Sequence, residues 1–153
     1  MSAWAEFEHA EPELAGHGRR LLYHTGTGMG FLATVRKDGG PRVHPICPIL
    51  ADGGLYAFIV NLGWKYRDLL RDGRFALHSF PTQAGGEEFY VTGGAEPRPD
   101  PGLRGRVIAA TGGTLGTHEM EVLFEFLPER ALYTKWEGWG TVSSWPTFTK
   151  WAA

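Results

Sequence analysis

The stretch LYAFIVNLGWKYRDLLRDGRFAL, residues 55–77, decides the fold because its pattern changes twice. The apolar run at its start predicts a strand buried on both faces, the middle predicts one short helix, and RFAL begins another strand. Lys65 and Arg67 fall in the first turn of that helix, where the helix dipole disfavours cations by about 0.3–1 kcal/mol. A bound phosphate would reverse this preference. Two interpretations stay open: the cations hold a phosphate, or they are solvated charges on a surface helix.

Strand patterns continue on both sides of this stretch. Alternating apolar residues, apolar runs and the hairpin turn chemistry of Asp38-Gly39-Gly40 all favour β structure. The predicted strands cover residues 30–37, 41–50, 55–60, 74–80, 87–98 and 121–136, with one more within residues 138–153. The segment 121–136 is expected to fold back on itself at Pro128.

Short helices are expected between some of the strands. Pro12 fits the first turn of an N-terminal helix, Asp100 fits the N-cap of a helix over residues 100–113, and Gly73 stands where the middle helix needs a C-terminal cap. There is no linker-like or repetitive stretch, so residues 1–153 are expected to form a single domain. Its fold class is mainly β with short helices, a six- to seven-stranded antiparallel barrel.

The segment RVHPICPIL, residues 42–50, contains two prolines, Pro45 and Pro48. Each removes a backbone donor, so this segment cannot be a fully hydrogen-bonded central strand. Two interpretations are equally compatible with the pattern. The strand lies at a protected sheet edge or bulge, or its backbone faces a ligand.

Composition excludes several classes of function. The chain has a formal net charge of −2, which gives no reason to expect nucleic acid or an anionic membrane as a partner. No apolar run approaches the ~18 residues that cross a bilayer, and the acidic N-terminus is not a signal peptide, so a cytoplasmic location is expected. The histidines lack metal-ligand spacing and no Gly-x-Ser-x-Gly motif occurs, so no metal site is predicted and no catalytic residue is assigned.

Three segments, taken in order, resemble one known family. They are FLATVRKDGGPRVHPICPIL (residues 31–50), the stretch 55–77, and EEFYVTGGAEPR (residues 87–98). Their order and spacing are similar to those of the pyridoxamine 5'-phosphate oxidase-like split β-barrel flavoproteins. This resemblance implies a homodimer that binds FMN, or in one branch the deazaflavin F420, across the dimer interface.

The resemblance also implies roles for individual residues. Lys65 matches the phosphate-binding lysine of the family, and Arg67 matches an arginine that assists it. The other implied cofactor-binding positions are Val43, His44 and Ile46 on the strand along the flavin ring, Ile59 and Val60 at a strand end, Trp64, and Glu88. Trp64 stands where the true oxidases have a basic residue, and Glu88 stands where they have a glutamine.

The function that follows from the resemblance is a flavin-dependent oxidoreductase that transfers a hydride to or from a small, flat substrate. True pyridoxine phosphate oxidation is not expected, because the lysine that grips the substrate phosphate near Ile49 is absent. Trp136 and Trp139 are candidates to frame the substrate. An alternative from another class is a non-catalytic flavin- or haem-binding storage protein, for which His24, His44 or His78 would serve the haem.

The homodimer is also expected from the apolar run LYAFIV. Both faces of this strand are apolar, and a second subunit packed on the outer face would cover it.

Overall fold

An antiparallel sheet forms most of the structure, a computed structural model that describes residues 3–153. Four helices accompany it: α1 (Ala3–Ala10), α2 (Pro12–Leu22), α3 (Trp64–Arg71) and α4 (Pro101–Ala110). The eight strands are β1 (Gly30–Val35), β2 (Pro41–Ile46), β3 (Ile49–Ala51), β4 (Gly54–Val60), β5 (Arg74–Ser79), β6 (Glu87–Pro97), β7 (Glu121–Glu137) and β8 (Trp145–Ala152).

The sheet is a curled half-barrel in which the long strand β7 pairs with three other strands. Its order is β2-β1-β5-β6-β7-β4-β3, and β8 pairs with β7 beside this path. The first half of β7 pairs with β4 and its second half with β8, while β6 pairs along most of its length. The predicted fold class, a mainly β antiparallel split barrel with short helices, is confirmed, with β3 and β8 bringing the strand number to eight.

The two ends of the sheet path are consecutive in the chain. Strands β2 and β3 lie at opposite ends of the path and are joined only by Cys47 and Pro48. The expectation of one strand over residues 41–50 is therefore wrong, because between Ile46 and Ile49 the chain crosses from one end of the sheet path to the other. The expectation that the proline-containing segment is not a central strand is confirmed, since both of its parts are edge strands.

Strand β7 corrects a second expectation. No turn occurs at Pro128, and β7 continues through it as one strand. Thr92 pairs with Arg130 and Gly93 pairs with Pro128, so Glu129 is an extra residue in a β-bulge. The bulge accommodates the proline without folding the chain back. Gly93 permits the close approach, since a Cβ there would lie 3.0 Å from the backbone nitrogen of Glu129.

The inner face of the half-barrel packs on α1 and α2. Aromatic and aliphatic side chains from both helices and from six strands are buried there, including Trp4, Phe7, Leu14, Leu21, Leu32, Leu55, Leu77, Phe89, Phe124 and Phe126. The ring of Phe7 also lies 4.7 Å from the ring of Trp151 in β8. The two ends of the described chain therefore meet in one core.

Part of the outer face of β4 is covered within the same chain. Tyr56 of β4 and Leu123 of β7 pack against Leu103 and Val107 of α4 in a second apolar cluster. A helix distant in sequence therefore covers this face at Tyr56, whereas Val60 at the end of the strand is 45% exposed. The homodimer itself stays a prediction.

The helix termini agree with the sequence at one position and differ at another. Asp100 is the N-cap of α4, and its side chain accepts a hydrogen bond from the amide of Leu103, as expected. Gly73 is not a left-handed cap for α3, because its φ is not positive. A Cβ at Gly73 would instead lie 2.6 Å from the carbonyl oxygen of Ala95, so glycine is required for a close backbone approach.

Candidate anion site at the start of helix α3

The start of α3 has no side-chain cap. Gly63 occupies the N-cap in an extended conformation (φ −85°, ψ 161°) and offers no side-chain acceptor. The amide groups of the first helical turn have no partner within the helix itself, and they carry its positive partial charge. The turn that links β4 to α3 therefore presents backbone donors to whatever lies in front of it.

Lys65 lies in this first turn and is partly buried. Within residues 3–153 no carboxylate forms an ion pair with its ammonium group. Burial lowers the pKa of Lys65 below its usual value, and the nearby Cys47 opposes this shift. Even partial burial of a cation without an anion is unfavourable, so this position favours an anionic ligand.

His44 approaches the same position from β2. Its Nε2 atom is buried and has no hydrogen-bond partner among the described residues. Burial lowers the pKa of His44, the positive charges of Lys65 and Arg42 lower it further, and Asp68 opposes them. The charge of Lys65 therefore acts on His44, and an anion between the two groups would raise both pKa values.

Asp68 organises a second group of cations on the neighbouring face of α3. Its buried carboxylate accepts hydrogen bonds from Thr34 Oγ1 (2.8 Å), Arg42 Nε (2.7 Å) and an Arg71 guanidinium nitrogen (3.1 Å). Burial would raise the pKa of Asp68, but these hydrogen bonds, from Arg42 first, outweigh it and lower the pKa. The carboxylate therefore stays ionised and fixes two arginines.

Lys65 and Arg67 do not point the same way. Residues two apart on a helix differ by about 200° in direction, so their side chains do not face each other. Arg67 lies over the indole of Trp64, 5.0 Å from the ring centroid, and lines a cavity of about 660 Å³ that Lys65 does not line. The side chains of Arg67 and Lys65 therefore do not lie at one common position. That Arg67 assists Lys65 at a single phosphate stays a prediction.

The other predicted site residues divide between the core and the surface. The side chains of Ile46 and Ile59 are buried in the core, so only their backbone can reach a ligand. Val60 is 45% exposed at the end of β4, next to the turn into α3. Val43, 61% exposed, alternates with His44 and faces away from it, and Glu88 is an exposed residue of β6. The structure thus brings His44, Lys65 and the end of β4 together.

Sequence reasoning missed Thr34, Arg42, Asp68 and Arg71. The sequence contained part of the signal. Asp68 and Arg71 follow Trp64 at helical spacing, and Arg42 lies two residues before His44, so both are on the same face of β2. Trp136, near the end of β7, and Trp139, just after it, lie beside the loop before β6, where Trp139 packs against Gly86. No group of three or more metal-ligating side chains occurs within residues 3–153, and none of the helices described is long and apolar enough to cross a membrane.

Several solved proteins share this fold. A haem-binding protein from Mycobacterium smegmatis is 17% identical with a TM-score of 0.64, over 87% of this chain and 57% of that one, so the present chain spans little more than half its length. HutZ, the haem storage protein of Vibrio cholerae, is 18% identical with a TM-score of 0.62, over 76% of this chain and 90% of that one. PhzG from Burkholderia lata 383, in complex with tetrahydrophenazine-1-carboxylic acid, is 14% identical with a TM-score of 0.59, over 92% and 91% of the two chains.

Identities this low show the fold alone. The fold is the pyridoxamine 5'-phosphate oxidase-like split barrel, as the sequence resemblance implied. No protein-family model matches the sequence, and no curated protein matches it.

Proposed function

We propose that this protein is a flavin-dependent oxidoreductase that binds FMN, or alternatively F420, with the cofactor phosphate at the start of α3. The observation that carries the proposal is the pair formed by Lys65 and His44. Both groups are basic, both have pKa values lowered by burial, and no carboxylate pairs with Lys65 in the described chain. A phosphate there would accept charge-assisted hydrogen bonds from Lys65 and from the free amides of α3.

The residues of this chain would bind and orient the cofactor. Lys65 would hold the phosphate, and the backbone of Ile59 and Val60, with the edge strand β2, would flank the ring. When bound, the flavin supplies the hydride-transfer chemistry to or from a small, flat substrate. The lysine that would grip a substrate phosphate near Ile49 is absent, so pyridoxine 5'-phosphate is expected to be a poor substrate.

The first test is equilibrium binding of FMN and of F420 to the purified protein. The Lys65→Ala variant is expected to bind the preferred flavin ten- to a hundred-fold more weakly, because a charge-assisted contact is worth about 1.5–3 kcal/mol. Lys135→Ala is the matched control, since Lys135 is an exposed lysine on β7 that, among residues 3–153, forms an ion pair with Glu137 alone, at 3.8 Å. Failure of the wild-type protein to bind either flavin would refute the proposal.

A second candidate function is haem binding or storage without turnover. Two proteins of the same fold are described as haem-binding and haem storage proteins, and His44 has an unpartnered Nε2 next to cations that suit haem propionates. The test is the addition of haemin to the purified protein and measurement of the Soret band. A band that appears in the wild-type protein and in the exposed-site variant His118→Ala, but not in His44→Ala, would favour this candidate over the flavin.

We also propose a homodimer, formed through the outer face of β1 and β2. Phe31 (38% exposed) and Val43 (61% exposed) are large apolar residues there, and Phe31 stacks on Phe80 at 4.4 Å. On the outer face of β4, in contrast, Tyr56 is buried against α4. A second copy on the β1–β2 face would lie along the strand that carries His44, so it would reach the neighbourhood of the site.

A further inference from the structure

The cavity between the β1–β2 turn and α3 carries a concentration of positive charge. Its volume is about 660 Å³, and it is lined by Arg36, Lys37, Asp38, Arg42, Trp64, Arg67, Asp68 and Arg71. Five cationic side chains against two carboxylates give this lining a net charge of +3, on a chain whose formal net charge is −2. This local excess of positive charge is unfavourable because the cations repel one another, and a bound anion would relieve that repulsion.

Both carboxylates in the lining are already engaged. Asp68 accepts hydrogen bonds from Thr34, Arg42 and Arg71, and Asp38 pairs with Arg36 at 3.1 Å. Within residues 3–153, Lys37 and Arg67 form no ion pair with any carboxylate. These two cations therefore offer charge that the protein itself does not neutralise.

The guanidinium groups are held in place rather than left to move freely. Arg42 donates its Nε to the buried Asp68, which leaves its two terminal nitrogens for another acceptor. Arg71 donates to Asp68 and to the carbonyl oxygen of Val35. The indole of Trp64 lies 5.0 Å from the Arg67 guanidinium carbon and 5.6 Å from that of Arg42, so it orders both.

We propose that this cavity binds a small molecule that carries a diphosphate group, separately from the cofactor phosphate at Lys65. A planar guanidinium binds phosphate oxygens in pairs, and several fixed arginines match two adjacent phosphates better than one. The net positive charge of the lining also complements the multiple negative charges of a free diphosphate. A single inorganic phosphate would fill only a small part of the cavity.

Isothermal titration with pyrophosphate tests this proposal on the cofactor-free full chain at low salt. Pyrophosphate is expected to bind saturably with one site per chain, about ten-fold more tightly than inorganic phosphate. Adenosine diphosphate and citrate are titrated in parallel. Tighter binding of adenosine diphosphate identifies a nucleotide as the source of the diphosphate, and equal binding identifies the free anion. Binding of citrate as tight as that of pyrophosphate would overturn the assignment to diphosphate.

The variants separate this cavity from the cofactor site. Arg67→Gln is expected to weaken pyrophosphate binding at least ten-fold, because Arg67 lines the cavity and its charge is not neutralised by a carboxylate. The variant is expected to fold, since Arg67 forms no ion pair within residues 3–153. Arg130→Gln, at an exposed arginine on β7, and Lys65→Gln, in the cofactor site, are expected to change it less than two-fold. Thermal unfolding confirms that each variant folds.

Three results would overturn the proposal. They are the absence of saturable binding to the wild-type chain, equal losses in Arg67→Gln and Arg130→Gln, and a loss in Lys65→Gln as large as that in Arg67→Gln. Flavin binding that fails in Lys65→Gln while pyrophosphate binding persists would support both sites. Flavin binding that fails in the wild-type protein would refute only the proposed cofactor.

Discussion

Asp68 is the residue on which most polar contacts of the candidate site depend. Its carboxylate is 2% exposed, and it joins α3 to β1 through Thr34 and to β2 through Arg42. It also separates the positive charges of Arg42 and Arg71, which would otherwise repel each other across the cavity. One buried carboxylate therefore sets the positions of two strands, a helix and two guanidinium groups.

Substitution of Asp68 by asparagine is expected to lower the free energy of unfolding by about 2–3 kcal/mol. The amide keeps the shape of the side chain but leaves two arginines without their counter-charge, and breaking a buried charge pair is costly. Asp72→Asn is the matched control, because Asp72 pairs with the exposed Arg74 at the end of the same helix. Chemical denaturation of both variants measures the difference, and equal stability of the two would contradict this account of Asp68.

At the scale of elements, helix α2 is fastened to the barrel by a polar cluster. Glu87 of β6 pairs with Arg20 of α2 at 2.7 Å and accepts a 2.6 Å hydrogen bond from Tyr133 of β7. The ring of His17 stacks on that of Tyr133 at 4.0 Å. The hydrogen bonds from Arg20 and Tyr133 lower the pKa of Glu87 to about 2, and burial with the hydrogen bond to Glu87 raises the pKa of Tyr133 to about 12.

These two pKa values predict how stability depends on pH. A carboxylate with a depressed folded pKa contributes stability above its unfolded value, so the contribution of Glu87 should be lost as the pH falls from about 4.5 to about 2. The phenol has a raised folded pKa, so the contribution of Tyr133 should be lost as the pH rises from about 10 to about 12. Glu87→Gln should cost about 1–2 kcal/mol near neutral pH and should flatten the acid limb of a plot of Tm against pH. An unchanged acid limb in that variant would contradict the assignment.

The packing of α2 on β6 gives a second prediction for this element. A Cβ at Gly18 would contact the ring of Phe89, with Cε1 only 2.7 Å away, whereas a Cβ at Gly16 of the same helix would meet nothing within 4 Å. Gly18→Ala is therefore expected to destabilise the protein by about 1–3 kcal/mol through overpacking. Gly16→Ala should stabilise it by about 0.5–1 kcal/mol through helix propensity. Thermal unfolding of the two variants measures both changes in stability. Equal changes in Gly18→Ala and Gly16→Ala would show that the ring of Phe89 moves to accommodate the added methyl group.

The same elements show which features a sequence alone can predict. The strands β1, β4, β5 and β6, the short helix α3 and the cap at Asp100 follow from local periodicity and turn chemistry, and the sequence predicted them. The continuity of β7 did not follow, because the bulge that absorbs Pro128 depends on Gly93 in another strand. Lys65 could be identified from the sequence because a cation in the first turn of a helix is unfavourable. Asp68 was missed because its partners Thr34 and Arg42 are distant in the chain.

At the scale of the whole molecule, the proposed homodimer needs a surface on which a second copy can pack. Tyr56 on the second face of β4 is buried against α4, whereas Phe31 on β1 and Val43 on β2 are exposed. Pro45 lacks a backbone N–H, so the edge strand β2 is poorly suited to pair with a strand of a second copy. A dimer in which the sheet faces of two copies pack together is therefore more favourable.

Charged substitutions on this face are expected to shift the protein from dimer to monomer. Phe31→Glu or Val43→Glu would place a carboxylate in a buried apolar interface, which is costly without a partner. Val142→Glu is the control, because Val142 is fully exposed in the loop before β8. Sedimentation at low micromolar concentration should give a dimer for the wild-type protein and the control, and a monomer for the other two variants. A wild-type monomer would refute the dimer, and persistent dimers in both face variants would move the interface elsewhere.

The contact between Phe7 and Trp151 has a consequence for how the chain is made. A ribosome adds roughly 5–20 residues per second, so roughly 7–30 seconds pass between synthesis of the first aromatic partner and of the second. During that interval the apolar sides of α1 and α2 have no completed barrel to enter. The nascent chain therefore exposes the apolar side chains of α1 and α2 before the strands that cover them exist, and we expect chaperone binding during translation to concentrate on residues 3–22.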